Sequence, residues 1–575
     1  MTVSEAVRRL GSFGVDQIEK ASGPLDAVQG AEVLGQALVD SELSPVFGLL
    51  GDANMYPIIH AMELGASFYP TTHEAGAVSM AAGYALTTGK VGHATVTRGP
   101  GLANTLTALT TAVRDRAPIV VLAGGAHTYD PHGLQSIDQD TLVAPTGAVS
   151  LTVASPAELA ASVAWAAKTA AARRIPVVLS VPTDFLEAEA VPQVVELGAV
   201  EEELSLQAPT PDDDQLARAI DLLRGAERPV ILAGLGFIAG GASLADVETI
   251  AQATGSLLAT TLPASGLFAS DDFPGSAFSV GYSGGYAVAT VRRLLADCDV
   301  VLALGASFND YTTDRGKLFA NATVVQVDSA SSAFGKFRQA DLEIHADVAE
   351  VVPKLAALAA AGTPETGYRT DEVRDVLVAA RWAADMPDRS DETGIDPRTA
   401  LRAVDARVGR DRHIVLDNGH FATFPAQTLR VFGTSQLIPA FGFGSIGLGL
   451  GTATGVAVGH PESTTVVVVG DGGVMISLPE LETVGRLQIP MVIVVINDAA
   501  YGAEVHMLRK HGRDIEVAQF PPTDFTALAG QFGISSIRVD KPSDLDALPS
   551  SLDGLDAPLL IDVHVTMEVV ADKFQ

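Results

Sequence analysis

Of 575 residues only one, Cys298, is a cysteine. No disulfide can form within the chain, and a reducing compartment is the expected setting. Positive charge is also scarce: 37 Lys and Arg stand against 69 Asp and Glu, a net charge of -32. Such a surface repels nucleic acid and anionic membranes, so neither is an expected partner. No apolar run reaches the roughly 18 residues of a membrane helix, and the opening MTVSEAVRRLGSFG lacks the apolar core of a secretory signal. Short tandem repeats are missing too, which sets solenoids aside. A cytoplasmic protein is expected.

What is present is a globular composition, 47% hydrophobic and 18% charged. The length exceeds what one core supports, about 250–300 residues. From Gly30 helical stretches alternate with apolar strands such as PVFGLL, HATVT, APIVVLAGG and IPVVLSVP, the signature of a parallel sheet covered by helices on both faces. The pattern restarts at RPVILAGLGFIAGG and again near Asp396. The expected organisation is an extension over 1–28, an α/β domain over 29–190, a linker over 191–210 where acid and proline replace periodicity, a central α/β domain over 211–362, a second linker over 363–395, and a third α/β domain over 396–575. The fold class is α/β, with three doubly wound parallel sheets.

The most informative stretch runs from Thr464 to Gly502. Thr464–Val469 and Pro490–Ile496 read as strands buried on both faces, and Leu478, Leu481, Val484 and Leu487 behind Pro479 read as the crossover helix between them. Ligands of open parallel sheets collect beyond the carboxyl ends of the strands. Those ends carry Gly470-Asp471-Gly472-Gly473 and Asn497-Asp498. Glycine lets backbone N–H groups approach a bulky anion, and two carboxylates on adjacent strand ends suit a magnesium ion that bridges them to a diphosphate. Two ordinary turns with solvated carboxylates are the plainer alternative.

GDG followed by an apolar strand and Asn-Asp resembles the diphosphate motif of the thiamine diphosphate (ThDP) enzymes, and the likeness extends over all three expected domains. It implies ThDP and Mg2+ as cofactors, with the metal on Asp471, Asp498 and the backbone carbonyl of Ala500. THEAGAVSMAAGYA is similar to a segment of acetolactate synthase relatives in which the glutamate, here Glu74, hydrogen-bonds a ring nitrogen of the cofactor's aminopyrimidine and so activates it. Read locally, Thr71-x-x-Glu74 is equally a helix capping box. LDNGHFA resembles the loop whose backbone meets the diphosphate, placing Gly419 and His420 there; His420 is otherwise an ordinary, partly exposed histidine. In FGFGSIGLGLGTATG, which reads as a tightly packed helix, the resemblance puts Ile446 beneath the bent cofactor and the Gly444 carbonyl on its amine.

Substrate-side residues come from several branches. Gly51-Asp52-Ala53-Asn54 is similar to a motif of pyruvate decarboxylase relatives whose aspartate relays protons, and Glu504 falls where those enzymes have a catalytic glutamate. Their adjacent histidine pair is missing, with only His127 and His132 in the matching loop, while Gln135 lies in a loop like that of the acetolactate synthase and benzaldehyde lyase branches. A solvated turn and a helix-surface charge are the plain alternatives for Asp52 and Glu504. Arg98 precedes Gly99-Pro100-Gly101 where relatives carry small residues; it narrows the pocket or pairs with an acidic substrate group.

In the central domain GLGFIA fits a dinucleotide turn, but the next strand lacks the acidic residue that such a site needs, and Asp328 is the one candidate ribose partner. FAD is therefore the less favoured cofactor, and a flavin or nicotinamide oxidoreductase is the rival from another class. The resemblance implies a carbon–carbon lyase or carboligase acting on a 2-oxo acid or 2-hydroxy ketone, as a homodimer or homotetramer. A simple 2-oxo acid decarboxylase and a benzaldehyde lyase-like carboligase are the alternatives within the family.

Overall fold

The computed structural model describes residues 29–189, 209–362, 367–380 and 386–574. The expected extension over 1–28 and most of the expected first linker, 191–210, lie outside the described residues. Three six-stranded sheets form, all of whose strand pairs are parallel. The first holds β1 (Val46–Gly48), β2 (Phe68–Pro70), β3 (Gly92–Val96), β4 (Ile119–Gly125), β5 (Val149–Thr152) and β6 (Val177–Pro182), in the order β2-β1-β3-β4-β6-β5. The second holds β7 (Pro229–Ala233), β8 (Leu257–Thr260), β9 (Ser279–Tyr282), β10 (Val300–Leu304), β11 (Thr323–Asp328) and β12 (Leu342–His345), in the order β12-β11-β10-β7-β8-β9. The third holds β13 (Arg412–Leu416), β14 (Leu437–Pro439), β15 (Thr464–Gly470), β16 (Val492–Asn497), β17 (Ser535–Val539) and β18 (Leu559–His564), and its order, β14-β13-β15-β16-β18-β17, repeats that of the first. Covered on both faces, the central strands need apolar side chains on both, which is why Val466–Val469 and Val492–Val495 are buried without alternation.

Three helices bear on how the sheets are joined. They are α1 (Glu74–Thr88), α2 (Asp371–Ala380) and α3 (Gly449–Gly459), of which α1 and α3 cross between the first and third sheets. Both are rich in Gly, Ala, Ser and Thr, so their backbones touch. A Cβ added at Gly83 would run into the Thr452 carbonyl, and one at Gly455 into the Met80 carbonyl. Gly455→Ala therefore sets two effects against each other. Helix propensity favours alanine by about 1 kcal/mol, but overpacking against a backbone that cannot rotate away costs about 1–3 kcal/mol or more. Clash wins, and a lower thermal unfolding midpoint is expected. The span 363–395, expected as linker, contains helix α2; acidic Asp371 and Glu372 suit its first turn, and Leu377 packs with Tyr368 into the core of the second sheet. With one buried residue on that helix, its periodicity was too weak to read.

Candidate active site

In the third sheet the strand order reverses between β13 and β15, and crossovers leave on opposite sides there, opening a crevice at the carboxyl edge. Asp417-Asn418-Gly419-His420 follow β13, Asp471-Gly472-Gly473 follow β15, and Asp498-Ala499-Ala500 follow β16. The glycine motif opens a helix rather than a loop: Gly470 is the N-cap of α4 (Asp471–Ile476), and α5 (Leu478–Leu487) carries the crossover onward. Asp471 is only 2% exposed. Its Oδ1 accepts from Gly472 N at 2.7 Å, whereas its Oδ2 is buried with no partner. Burial, and then the charge of Asp498, raise Asp471 above the ordinary carboxylate range; burial raises Asp498 as well. Between Asp498 and Ala500 the chain turns through Ala499 at φ +52°. Two crowded carboxylates, one with an oxygen that accepts no hydrogen bond, form a donor set that suits a divalent cation. Among the described residues no group of three His, Cys, Asp or Glu side chains could hold a metal unaided. The cation would need oxygens from elsewhere, such as a diphosphate.

Proton linkage gives this pair a measurable sign. Each carboxyl is held above its unfolded value, so its contribution to stability is full below that value and fades as pH rises through the raised one. The cation-free protein is therefore expected to lose thermal midpoint between about pH 5 and pH 8, and added Mg2+ to recover more of it at pH 8 than at pH 6. Thermal scans with and without Mg2+ at both pH values check this.

Around the pair the backbone is drawn in closely. Asp417, fully buried, accepts from Asn418 N at 2.8 Å and Gly447 N at 2.9 Å, pinning the 441–448 stretch to the end of β13, while burial pushes its carboxyl up to about 6. That stretch is a loop, with helix starting only at Gly449, because Gly444 and Gly447 take φ of +83° and +84°. Ile446 is half-buried in it. The Gly444 carbonyl accepts from Asn418 Nδ2 at 2.7 Å, leaving one lone pair for another donor. Gly419, at φ +151° and ψ 179°, holds a conformation essentially confined to glycine, and a Cβ there would strike the Phe421 ring. His420 is buried rather than partly exposed: its Nε2 accepts from Ala571 N at 2.9 Å and its ring lies 4.2 Å from that of His506.

At the carboxyl edge of the first sheet lie Asp52 after β1, Glu74 after β2, Arg98 after β3 and Thr183 after β6. The capping box does not form. His73 is the N-cap, its Nδ1 accepting from Ala75 N at 3.1 Å, and Glu74 is the first residue of α1. Freed from capping, Glu74 is buried and its Oε2 accepts from Asn104 Nδ2 at 3.0 Å. Among the described residues no hydrogen bond joins it to the third sheet's carboxylates. Arg98 turns inward to Asp52 and Gln135, where an acidic substrate group was one expectation. Glu504 is exposed on the first turn of α6 (Gly502–Lys510). Sequence reasoning missed Glu480 of α5, 4% exposed, with neither oxygen partnered, against Gly76 of α1; burial pushes it up to about 8. Glutamate in an amphipathic helix carries no mark of burial, so only tertiary packing reveals it. In the second sheet Gly236 N donates to Gly305 O at 2.9 Å, bringing the loops after β7 and β10 into backbone contact, and Asp328 Oδ1 accepts from Ala330 N.

A crowded acid pair at one parallel sheet's carboxyl edge and a buried glutamate at another's are groups that an enzyme built around a diphosphate cofactor would use. The chain belongs to the thiamine pyrophosphate enzyme family, matching its N-terminal TPP binding domain over residues 28–142, its central domain over 216–355 and its C-terminal TPP binding domain over 417–563. Similar proteins include the acetolactate synthase isozyme 3 large subunit of Escherichia coli, 28% identical over 95% of this chain and 96% of that one. The acetolactate synthase large subunit of Parasynechococcus marenigrum is 29% identical over 94% and 89%. A probable acetolactate synthase large subunit of Methanocaldococcus jannaschii is 27% identical over 94% and 92%. Among the described residues no helix is long and apolar enough to cross a membrane.

Proposed function

We propose that this ThDP-dependent enzyme decarboxylates a 2-oxo acid and joins the remaining unit to a second carbonyl compound, with Mg2+ as the metal. The observation that carries this reading is the buried, unpartnered Asp471 Oδ2 beside Asp498. Asp471, Asp498 and the Ala500 carbonyl would hold Mg2+, and the backbone of Gly419, His420, Gly470, Gly472 and Gly473 would meet the diphosphate. Gly444 and Ile446 would flank the cofactor's rings. When bound, ThDP supplies the carbon nucleophile and electron sink that side chains lack. Glu74 would hold the proton at the aminopyrimidine ring nitrogen, in a setting from which water is largely excluded. Asp52, Gln135 and Glu504 would line the substrate side.

Glu74 and the diphosphate site would meet across two copies of the chain, giving at least a homodimer. Large apolar side chains left exposed near both half-sites support this: Tyr129, Leu134 and Ile137 by the first sheet, and Phe443, Ile476 and Tyr501 by the third. A cytoplasmic setting belongs to the same proposal and rests on the single, buried thiol Cys298. The test is a panel of 2-oxo acids supplied with ThDP and Mg2+, scored for carbon dioxide and for coupled product. Carbon dioxide with coupled product is expected; no turnover of any 2-oxo acid would refute the reading.

A further inference from the structure

The first and third sheets share one strand order, so each has a crevice at the same place, between its first and third strands. In the third sheet that crevice holds the acid pair. In the first it is bridged by a single side chain. Arg98, leaving the end of β3, donates from Nη2 to Asp52 Oδ2 at 2.6 Å, from Nε to Gln135 Oε1 at 3.2 Å and from Nη1 to Thr183 Oγ1 at 2.9 Å. Thr183 in turn donates to the Gly125 carbonyl at 2.8 Å, which anchors the guanidinium to the end of β4. Its side chain is 16% exposed, that of Asp52 60%. The next residue, Gly99 at φ +62°, lies where a Cβ would run into the Gln135 carbonyl, so backbone and side chain of Gln135 are both held against this one turn.

We propose that Arg98 is a positioning residue that locks Asp52 and Gln135 into one unit and thereby steers the reaction toward carbon–carbon coupling and away from aldehyde release. This rests on the function proposed above. Loss of carbon dioxide from a 2-oxo acid leaves an electron pair on the former carbonyl carbon. If that carbon takes up a proton, an aldehyde leaves. If it bonds to a second carbonyl carbon, the coupled ketone leaves, and the proton goes to the second oxygen. Asp52 Oδ2 is taken up by the hydrogen bond from Arg98, so the side chain is held in place as an acceptor and is not free to relay a proton. The planar fork of a guanidinium spreads its donors over three nitrogens and so reaches three separated acceptors, a span that an ammonium, with all its N–H groups on one atom, does not match. The first-sheet crevice therefore presents Asp52 as an acceptor and Gln135 as a fixed amide, an arrangement suited to orienting a second carbonyl compound.

The experiment compares the parent enzyme with Arg98→Ser, Arg98→Lys and Arg98→Ser/Asp52→Asn on pyruvate, measuring aldehyde and coupled product per carbon dioxide released. Arg98→Ser is expected to raise the aldehyde-to-coupled ratio roughly a hundredfold, the low end of what a freed proton-transfer group contributes. Arg98→Lys, which keeps charge but loses the fork, should fall between, and the double variant should return to the parental ratio. A second arm follows amide exchange of residues 126–138 without cofactor or substrate, where Arg98→Ser is expected to speed exchange and Arg98→Lys to restore part of the protection. An unchanged ratio, or an equal loss of both products, overturns the proposal. Unchanged exchange removes the clamp itself. A parent that releases no carbon dioxide from any 2-oxo acid defeats the proposed function and the steering with it, while the exchange arm still decides whether the clamp exists.

Discussion

Exchanging Glu74 for glutamine is expected to lower turnover by about 10²–10⁴-fold, the range a positioned proton-transfer group contributes, while ThDP and Mg2+ binding stay nearly intact. The reasoning turns on what Glu74 does not do. His73, not Glu74, caps α1, so the helix keeps its cap when the carboxyl becomes an amide. The glutamine oxygen still accepts from Asn104, at the distance of 3.0 Å that Oε2 has now. Only the ability to carry and return a proton is removed. Steady-state kinetics paired with calorimetric titration of ThDP separates the two effects, and retention of full turnover would refute the assignment.

Asp471→Asn should act with opposite signs on two quantities. Without a cation, the parent keeps a buried carboxyl with one idle oxygen beside Asp498, and an amide there relieves the repulsion, so the thermal midpoint of the cation-free protein should rise. With cation and cofactor, the same change removes a charged ligand from a buried site, at a cost of about 3–5 kcal/mol, or roughly 10²–10⁴-fold in Mg2+-dependent ThDP affinity. An ordinary structural aspartate would lose on both counts. Thermal scans of the metal-free variant, set beside calorimetry with ThDP and Mg2+, read both signs; a fall in both would remove the metal assignment.

The sheets were legible because strands buried on both faces must be apolar throughout, as Val466–Val469 are, and their carboxyl ends had to carry the polar groups that could serve a ligand. What stayed hidden was long-range or conformational. Arg98 and Gln135 are 37 residues apart, and nothing local announces that one grips the other. The buried Glu480 looked like any helix-surface acid. Residues 441–448 looked like the start of a helix because glycine's density was visible and its φ was not; Gly444 and Gly447 sit where only a loop can form. Glu74 could be read as a cap or a catalyst, and the choice depended on whether Thr71 or His73 took the N-cap, a difference of two residues in where the helix begins.

Where α1 and α3 meet, carbonyl oxygens occupy the space that side chains fill at most helix contacts. Such a joint has no slack: sliding either partner by a fraction of a helical turn would drive a main-chain atom into another. The two outer lobes of one molecule therefore travel as a single body.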